Sequence, residues 1–382
     1  MKKEIYITAL HLLHGGVEMA ISLMSNAFVK RGYSVTILSL YNLGKPAYPI
    51  SPEVKIEYLT EVHPNREEFL SAIKSKNPFK IIKEGFYALN VLRLKRTALI
   101  KRIKQICDGI IISTRNEHSV LLSKYAKKNV LKVAQLHHDH CFDKRLLSDI
   151  KNRYKNIDYF ALLTDQLTKE VEELMQGVNS DTRCVTIENF LEKGENNIDF
   201  EEKEKTVLAV GRLHTVKGFD RLLEIWKDVS QKHPDWHLVI VGDGEEKENL
   251  FDAADRLGIK DSVTFTGALE HNEVFDMMKR SAIYAMTSHT EGFPFVLIEA
   301  MSCGLPVIAF DVRVGPRAII NDGVNGLLVE DGNNKEFYTL LCDLMGNAEK
   351  RIAFSKKALE RSNDFSETKI VEKWIGVFEK QK

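Results

Sequence analysis

Short apolar runs alternate with segments of helical period along most of the chain. Glu4–Leu10 reads as a buried strand and His11–Gly16 as a loop, while Val17, Ala20, Ile21, Met24 and Phe28 recur at helical spacing through Val17–Arg31. Gly32 stops that helix, and Val35–Leu40 is the next strand. The same reading predicts strands at Lys55–Leu59, Gly109–Ser113, Val130–His137, Tyr159–Thr164 and Cys184–Ile187. After Asn189 the alternation lapses, because Glu192–Lys205 is highly charged with almost no apolar anchor and reads as a linker. It then restarts with strands at Thr206–Gly211, His237–Val241, Ser262–Thr266, Ala282–Thr287 and Val307–Phe310. Helices are expected between them at Phe219–His233, Glu246–Leu257, Asn272–Arg280 and Pro294–Cys303. In the first of these Phe219, Leu222, Leu223, Trp226 and Val229 share one face. Strands rich in Val, Ile and Leu, separated by helices, imply parallel sheets covered on both faces. The expectation is an α/β protein of two doubly wound lobes facing a central cleft. Their ligands should sit beyond the carboxyl ends of the strands. The boundaries expected are 1–190 for the first lobe, 191–205 for the linker, 206–364 for the second lobe and 365–382 for a C-terminal helix.

A length of 382 residues is too great for one ordinary core and agrees with two domains. Lys plus Arg and Asp plus Glu each number 54, so no global field points to nucleic acid. The five cysteines are scattered without a CxxC pair, which indicates a reducing compartment and no structural zinc. No apolar run approaches the ~18–20 residues of a membrane span, and the N-terminus lacks the apolar core of a signal peptide. A cytoplasmic protein is expected. Charge is uneven in one place: Ser71–Cys107 carries ten basic residues, among them Lys95, Arg96, Lys101 and Arg102, against the single acid Glu84, a local net of +9. Phe79, Ile82, Phe86, Leu89 and Leu92 are interleaved with them. Residues 71–107 thus suit docking on an anionic membrane surface, or a solvated helical face packed on the first lobe.

Four stretches can carry chemistry. In Thr290–Pro306, Pro294 suits the first position of a helix and Gly304 its stop, so backbone N–H groups near Gly292, Phe293, Phe295 and Val296 would point into the loop before it. Glu291 would stand at that opening. Glu299 falls in an apolar helix, where a carboxylate needs dedicated donors: ligand hydroxyls, or a neighbouring backbone if its role is structural. Gly211–Phe219 follows a strand and precedes a helix, and its Arg212 and Lys217 can clamp a diphosphate from two sides. His14-Gly15-Gly16-Val17-Glu18 is a Gly-Gly loop that lacks both GxGxxG and a Walker lysine, which weakens dehydrogenase and P-loop readings. His137-His138-Asp139-His140 ends a buried strand. It could touch a ligand, stay structural or bind a metal, although it lacks established metal-ligand spacing, so no metal is expected.

With these residues in hand the chain resembles the family 4 retaining glycosyltransferases, which have two Rossmann-like lobes of the B type. The resemblance is carried by Gly15-Gly16-Val17-Glu18, by Val210-Gly211-Arg212 with Lys217-Gly218, by Gly242-Asp243-Gly244, and by Glu291 and Glu299 as an E-x7-E pair. Gly315-Pro316, Ile319-Ile320 and Asn325-Gly326-Leu327-Leu328-Val329 also fit. It implies transfer of a sugar from a nucleotide donor with retention of configuration and without metal or cofactor. Arg212, Lys217 and the Gly16 amide would bind the donor diphosphate. Glu291 and the segment Gly292, Phe293, Pro294 and Phe295 would hold donor-sugar hydroxyls, Glu299 the ribose, and Gly267 would frame the base. His137, with His138 as runner-up, would lie near the transferred sugar, so the catalytic set is Glu291, His137, Arg212 and Lys217.

The Gly315-Pro316 style resembles bacterial surface-polysaccharide and wall-teichoic-acid transferases that use UDP-sugars. A hexosyl or N-acetylhexosaminyl group would then pass to a lipid-linked saccharide or cell-surface polymer at the membrane's inner face. In this fold the last helix returns to the first lobe, with Trp374 as its anchor. The chain departs from the family where Pro-Asn-Gly is common before Asn189, and where Arg317-Ala318 replaces a Glu after Gly-Pro. A UDP-sugar epimerase of the same architecture and a non-catalytic partner subunit are the competing readings. The oligomeric state is not legible.

Overall fold

In the computed structural model, residues 2–192, 198, 200–201 and 203–380 are described. The chain forms two units. The first comprises Met1–Leu162, Thr168–Ile187 and Val371–Lys382, the second Leu163–Leu167 and Glu188–Ile370.

The first unit holds a seven-stranded parallel sheet. Its strands are β1 (Ile5–Ala9), β2 (Val35–Tyr41), β3 (Lys55–Thr60), β4 (Gly109–Ser113), β5 (Val130–Leu136), β6 (Tyr159–Leu162) and β7 (Arg183–Thr186), in the order β3-β2-β1-β4-β5-β6-β7. Every residue of the five inner strands is buried, whereas β3 and β7 at the edges are partly exposed. Burial on both faces is why the inner strands read as continuous apolar runs.

The second unit repeats the plan with six parallel strands: β8 (Glu204–Val210), β9 (His237–Val241), β10 (Val263–Gly267), β11 (Ser281–Met286), β12 (Val307–Asp311) and β13 (Gly326–Glu330), in the order β10-β9-β8-β11-β12-β13. The apolar face of the helix Phe219–Lys232 covers this sheet, with Leu222, Leu223, Trp226 and Val229 fully buried.

Both sheets reverse direction of winding beside their first strand. β1 lies between β2 and β4, and β8 between β9 and β11. In such sheets the loops that leave the two strands at the reversal diverge and open a crevice at their carboxyl ends. Register makes these loops level. Thr8 pairs with Ser113 and Leu208 with Tyr284, so each pair of strands ends within about one residue of its neighbour.

Several boundaries differ from the sequence reading. β6 stops at Leu162, because Leu163–Leu167 joins the second unit and Thr164 accepts from the Leu167 amide at the start of the helix Asp165–Met175. β8 begins at Glu204, inside the expected linker; of that linker, residues 193–197, 199 and 202 lie outside the described residues. After β4 the chain passes almost at once into the helix Asn116–Tyr125. β13 has no counterpart in the expected strands, since Gly326 and its neighbours register as a motif rather than a run. The helix Glu367–Glu379 begins in the second unit and ends in the first. There Trp374 and Phe378 meet Phe28 at ring separations of 6.1 and 5.3 Å.

Candidate functional site

At the reversal in the second unit, the chain leaves β8 through Gly211–Gly218 and leaves β11 through Thr287–Pro294. The two loops are tied together: Thr287 Oγ1 donates to the Gly218 carbonyl at 2.8 Å, and the His289 amide donates to the Val216 carbonyl at 2.7 Å. Gly218 has φ +61°, and a Cβ there would come within 2.1 Å of the Thr287 carbonyl oxygen, so glycine is required for the approach. Gly242 and Gly244 serve the same purpose after the neighbouring strand β9, where added Cβ atoms would meet the Gly211 and Leu213 carbonyls at 1.9 and 2.3 Å. Arg221, which no motif marks, locks the arrangement from the first turn of the next helix. It donates to the Thr287 and Ser288 carbonyls, pairs with Asp331 at 2.7 Å and lies over the Phe310 ring.

This clamp brings Lys217 and Glu291 together, with Nζ 2.8 Å from Oε1 and both side chains largely buried. A mobile cation and a carboxylate thus converge where the two loops meet. Gly315, at φ +82°, lets the next loop close on Glu291, since a Cβ there would stand 3.0 Å from the Glu291 Cβ. Arg212 is placed differently. Its side chain is 70% exposed and pairs with Glu245 at 3.1 Å, a carboxylate that His214 also approaches at 3.3 Å. Arg317, where the family often has a Glu, pairs with Asp311 at 2.9 Å.

The helix Phe295–Ser302 follows, with Pro294 at its N-cap, one position before the expected one. Of its first-turn amides, that of Leu297 donates to the Pro294 carbonyl at 3.2 Å, and those of Phe295 and Val296 precede the first intrahelical bond. Gly304, at φ +66°, ends it as expected. Phe293 is buried and stacks edge-on against Phe365, so that residue can face a ligand only through its backbone. Glu299 is 4% exposed and already has a protein partner: His271 Nε2 lies 3.1 Å from its Oε1. The hydrogen bond to Glu299 raises the His271 pKa above its ordinary value. Nothing in the sequence pattern marks His271, which heads the helix after β10, 28 residues from its partner. Gly267 closes β10 at φ +75° and accepts from the Gly242 amide, with open space over its Cα.

In the first unit, the corresponding reversal holds Gly15 and Gly16 after β1 and Arg115 after β4. Gly16 opens the helix Gly16–Lys30. Glu18, 5% exposed, accepts from Arg115 Nη2 at 3.2 Å, and His11 Nδ1 lies 3.7 Å from it. On the adjacent strand, His137 follows β5. Both of its ring nitrogens, and Arg115 Nε, are buried without a hydrogen-bond partner among the described residues. Burial pushes the His137 pKa down to about 3, with His138 and Arg115 adding to the effect, so the imidazole is neutral at pH 7. Buried polar atoms are almost always satisfied, and two orphans at adjacent strand ends point to a polar ligand or ordered water. His138 is the more exposed of the two histidines. His140 pairs with Glu170 at 2.8 Å, and no group of three or more His, Cys, Asp or Glu able to hold a metal occurs among the described residues.

The basic segment is two helices, Arg66–Lys74 and Pro78–Gln105, hinged at Lys76. The longer one is capped by Asn77, whose side chain accepts from the Phe79 and Lys80 amides. Val91, Leu99 and Ile103 are buried, while Phe79, Ile82, Phe86 and Leu89 are 84, 57, 71 and 64% exposed. No helix among the described residues is long and apolar enough to cross a membrane.

Comparison with known proteins sets these features in context. The family described as glycosyl transferases group 1 matches residues 192–361. An uncharacterised glycosyltransferase of Haemophilus influenzae is 31% identical over 369 residues, covering 95% of this chain and 96% of that protein. The amylovoran biosynthesis glycosyltransferase AmsD of Erwinia amylovora is 28% identical, with 95% of both chains covered. Among solved structures, a mutant of TarM from S. aureus, in complex with Fondaparinux, alpha-GlcNAc-glycerol and UDP, superposes with a TM-score of 0.77 at 16% identity, covering 99% of this chain and 100% of that one.

Proposed function

The chain belongs to the group 1 glycosyltransferases, and on that footing we propose that it is a retaining transferase of UDP-sugars. It moves a hexosyl or N-acetylhexosaminyl group to a lipid-linked saccharide or cell-surface polymer. The observation that carries this reading is the convergence of Lys217 and Glu291 at the level ends of β8 and β11. Lys217 and Arg212 hold the donor diphosphate, Glu291 and the first-turn amides after Pro294 hold sugar hydroxyls, and Glu299 takes the ribose. On donor binding the Lys217 ammonium turns from Glu291 to phosphate, which frees that carboxylate for hydroxyl groups. Within the second unit Gly267 frames the base; in the first unit the resemblance assigns the Gly16 amide to phosphate and neutral His137 to the transferred sugar. UDP in the TarM complex supports the choice of nucleotide.

In the reaction the bond from the anomeric carbon to the leaving phosphate breaks as a bond to the acceptor oxygen forms on the same face. The acceptor's proton passes to the departing phosphate oxygen. No side chain then needs to act as a base. Catalysis is positioning plus stabilisation of the charge that builds on the diphosphate by Lys217 and Arg212. No metal is required, because those two cations supply the charge.

The exposed apolar row and the basic residues of the helix Pro78–Gln105 support docking on an anionic membrane surface, where lipid-linked acceptors reside. Neutralising Lys95, Arg96, Lys101 and Arg102 together is expected to lower binding to anionic vesicles at low salt, and unchanged binding rejects docking.

A panel of UDP-, GDP- and ADP-sugars tested by thermal shift and product analysis checks the donor assignment. A UDP-sugar is expected to raise the melting temperature, to remain unchanged without acceptor, and to yield product of retained anomeric configuration with EDTA present. Conversion of donor alone identifies an epimerase instead, and a shift only with another nucleotide overturns the choice of UDP.

A further inference from the structure

Within the first unit lies a cavity of about 600 Å³, walled by the helices Pro78–Gln105 and Asn116–Tyr125, the loop after His137 and one face of the helix Lys144–Arg153. None of the donor-binding residues proposed above lines it. Much of its wall is apolar, with Leu92, Leu99, Leu121 and Leu146 facing in. Its charged groups divide into two kinds. Lys95 is held by Glu117 at 3.1 Å and Arg153 by Asp149 at 2.9 Å. Asp143 caps the helix that follows it, and Asp139 accepts from the Cys141 amide. Arg96 and Arg145 are different: both line the cavity, both reach solvent, and neither has an ion-pair or hydrogen-bond partner among the described residues.

Position on the helix adds the second half of the case. Phe79, Ile82, Phe86 and Leu89 follow one another at steps of three and four and therefore share a face. The next steps on that face are Arg93 and then Arg96. An exposed apolar track of ~15 Å, at 1.5 Å per residue over Phe79–Leu89, is thus continued by Arg93 and by Arg96, whose guanidinium lines the cavity. A second guanidinium, Arg145, stands on the cavity wall. Planar five-donor groups match phosphate oxygens better than any other side chain.

We propose that this cavity is the acceptor head-group site, and that its ligand is a lipid diphosphate. Arg96 and Arg145 take the two phosphates, the apolar row from Leu89 back to Phe79 accompanies the lipid, and the remaining volume receives the first sugar. The inference rests on the transferase reading for its biological role but makes an independent claim about binding.

The probe is farnesyl diphosphate, titrated calorimetrically into protein saturated with UDP so that the donor's diphosphate groups are occupied. Wild-type protein is expected to bind it, and the Arg96→Ala, Arg145→Ala double variant to bind at least about tenfold more weakly, the scale of losing charge-assisted hydrogen bonds. Farnesol and inorganic pyrophosphate are each expected to bind at least about tenfold more weakly than farnesyl diphosphate, because each lacks half of what the site recognises. UDP affinity should be the same in both proteins. Equal binding of farnesyl diphosphate by wild type and double variant, or no binding by either, overturns the proposal. Pyrophosphate binding as tightly as the lipid shows a site for free phosphate and overturns the lipid assignment. Failure of UDP to bind wild type counts against the transferase reading alone, since the farnesyl diphosphate arm can be repeated without it.

Discussion

The two strand reversals share one topology and hold opposite kinds of chemistry. In the second unit, the loops that leave β8, β9 and β11 are tied together by hydrogen bonds to backbone carbonyls, three glycines in close approach and Arg221, and the charged groups come in partnered pairs: Lys217 with Glu291, Glu299 with His271, Arg212 with Glu245. In the first unit, the Glu18–Arg115 pair sits beside atoms with no partner among the described residues, the His137 ring nitrogens and Arg115 Nε. A glycosyltransferase has two substrates with unlike demands. The nucleotide donor presents fixed charges that pre-paired ions can trade partners with. On the reading proposed above, the neutral and unsatisfied polar atoms of the first crevice instead gain a hydrogen bond only when a polar group such as the transferred sugar enters.

The difference can be broken by mutation, and the largest effect is expected at the Lys217–Glu291 pair. Lys217→Ala or Glu291→Ala should lower turnover by about a thousandfold or more, on the scale of losing a preorganised group that faces developing charge. Melting temperature should fall in both, because each variant leaves the partner's charge uncompensated in a largely buried place, so turnover is compared at a temperature where both remain folded. Near-normal turnover in both variants would make the pair structural. His137→Ala should come next, with a loss of about a hundredfold in kcat, on the scale of misplacing the transferred sugar, and little change in donor KM. Because its ring nitrogens have no hydrogen-bond partner among the described residues, that variant should be no less stable than its large-to-small volume change requires, and replacing His137 with Leu should match or exceed wild-type stability. A stability loss of several kcal/mol on His137→Leu would mean the ring is structurally engaged.

The glycines sharpen the contrast further. Gly218→Ala should cost about 3 kcal/mol of stability, since it meets both a left-handed φ and a carbonyl at 2.1 Å. Gly15→Ala should cost about 1 kcal/mol, because its backbone is extended and its new Cβ meets only the movable Glu18 carboxylate. Equal costs measured by denaturant unfolding would contradict the claim that the second crevice is the more tightly built. The smallest effect concerns His271. Its pKa is raised in the fold, so the protonated pair with Glu299 stabilises fully below the unfolded value of about 6.5 and is lost as pH rises through the higher folded value. His271→Gln should therefore lower stability at about pH 5.5 by more than at about pH 8.5. A constant difference across that range would remove the ion pair.

Much of the second crevice is legible in the sequence because its components are close together along the chain. Lys217 lies six residues after Gly211, the first residue beyond β8, and Glu291 and Glu299 are eight apart, so strand-loop-helix patterning alone places them at strand ends. What the pattern leaves out joins distant positions. Arg221 reaches residues 66 and 67 positions away, His271 reaches Glu299 across 28, and Arg115 reaches Glu18 across 97. None has a periodic or turn signature, since each is ordinary until the fold supplies its partner. Pro294 shifted by one position for a local reason: an N-cap needs an extended residue, and φ −70°, ψ 115° suits proline as well there as at the first helical position. Arg96 and Arg145, without a partner among the described residues, are the extreme case, because a lack of partners is visible only once the neighbours are placed.

The most direct test is calorimetric binding of UDP to wild type, to the Arg212→Ala, Lys217→Ala double variant, and to His137→Ala. If cations of the second crevice grip the diphosphate, the double variant should bind at least about 30-fold more weakly, while His137→Ala stays within about twofold of wild type. Undiminished binding by the double variant would contradict the assignment of the donor to this crevice.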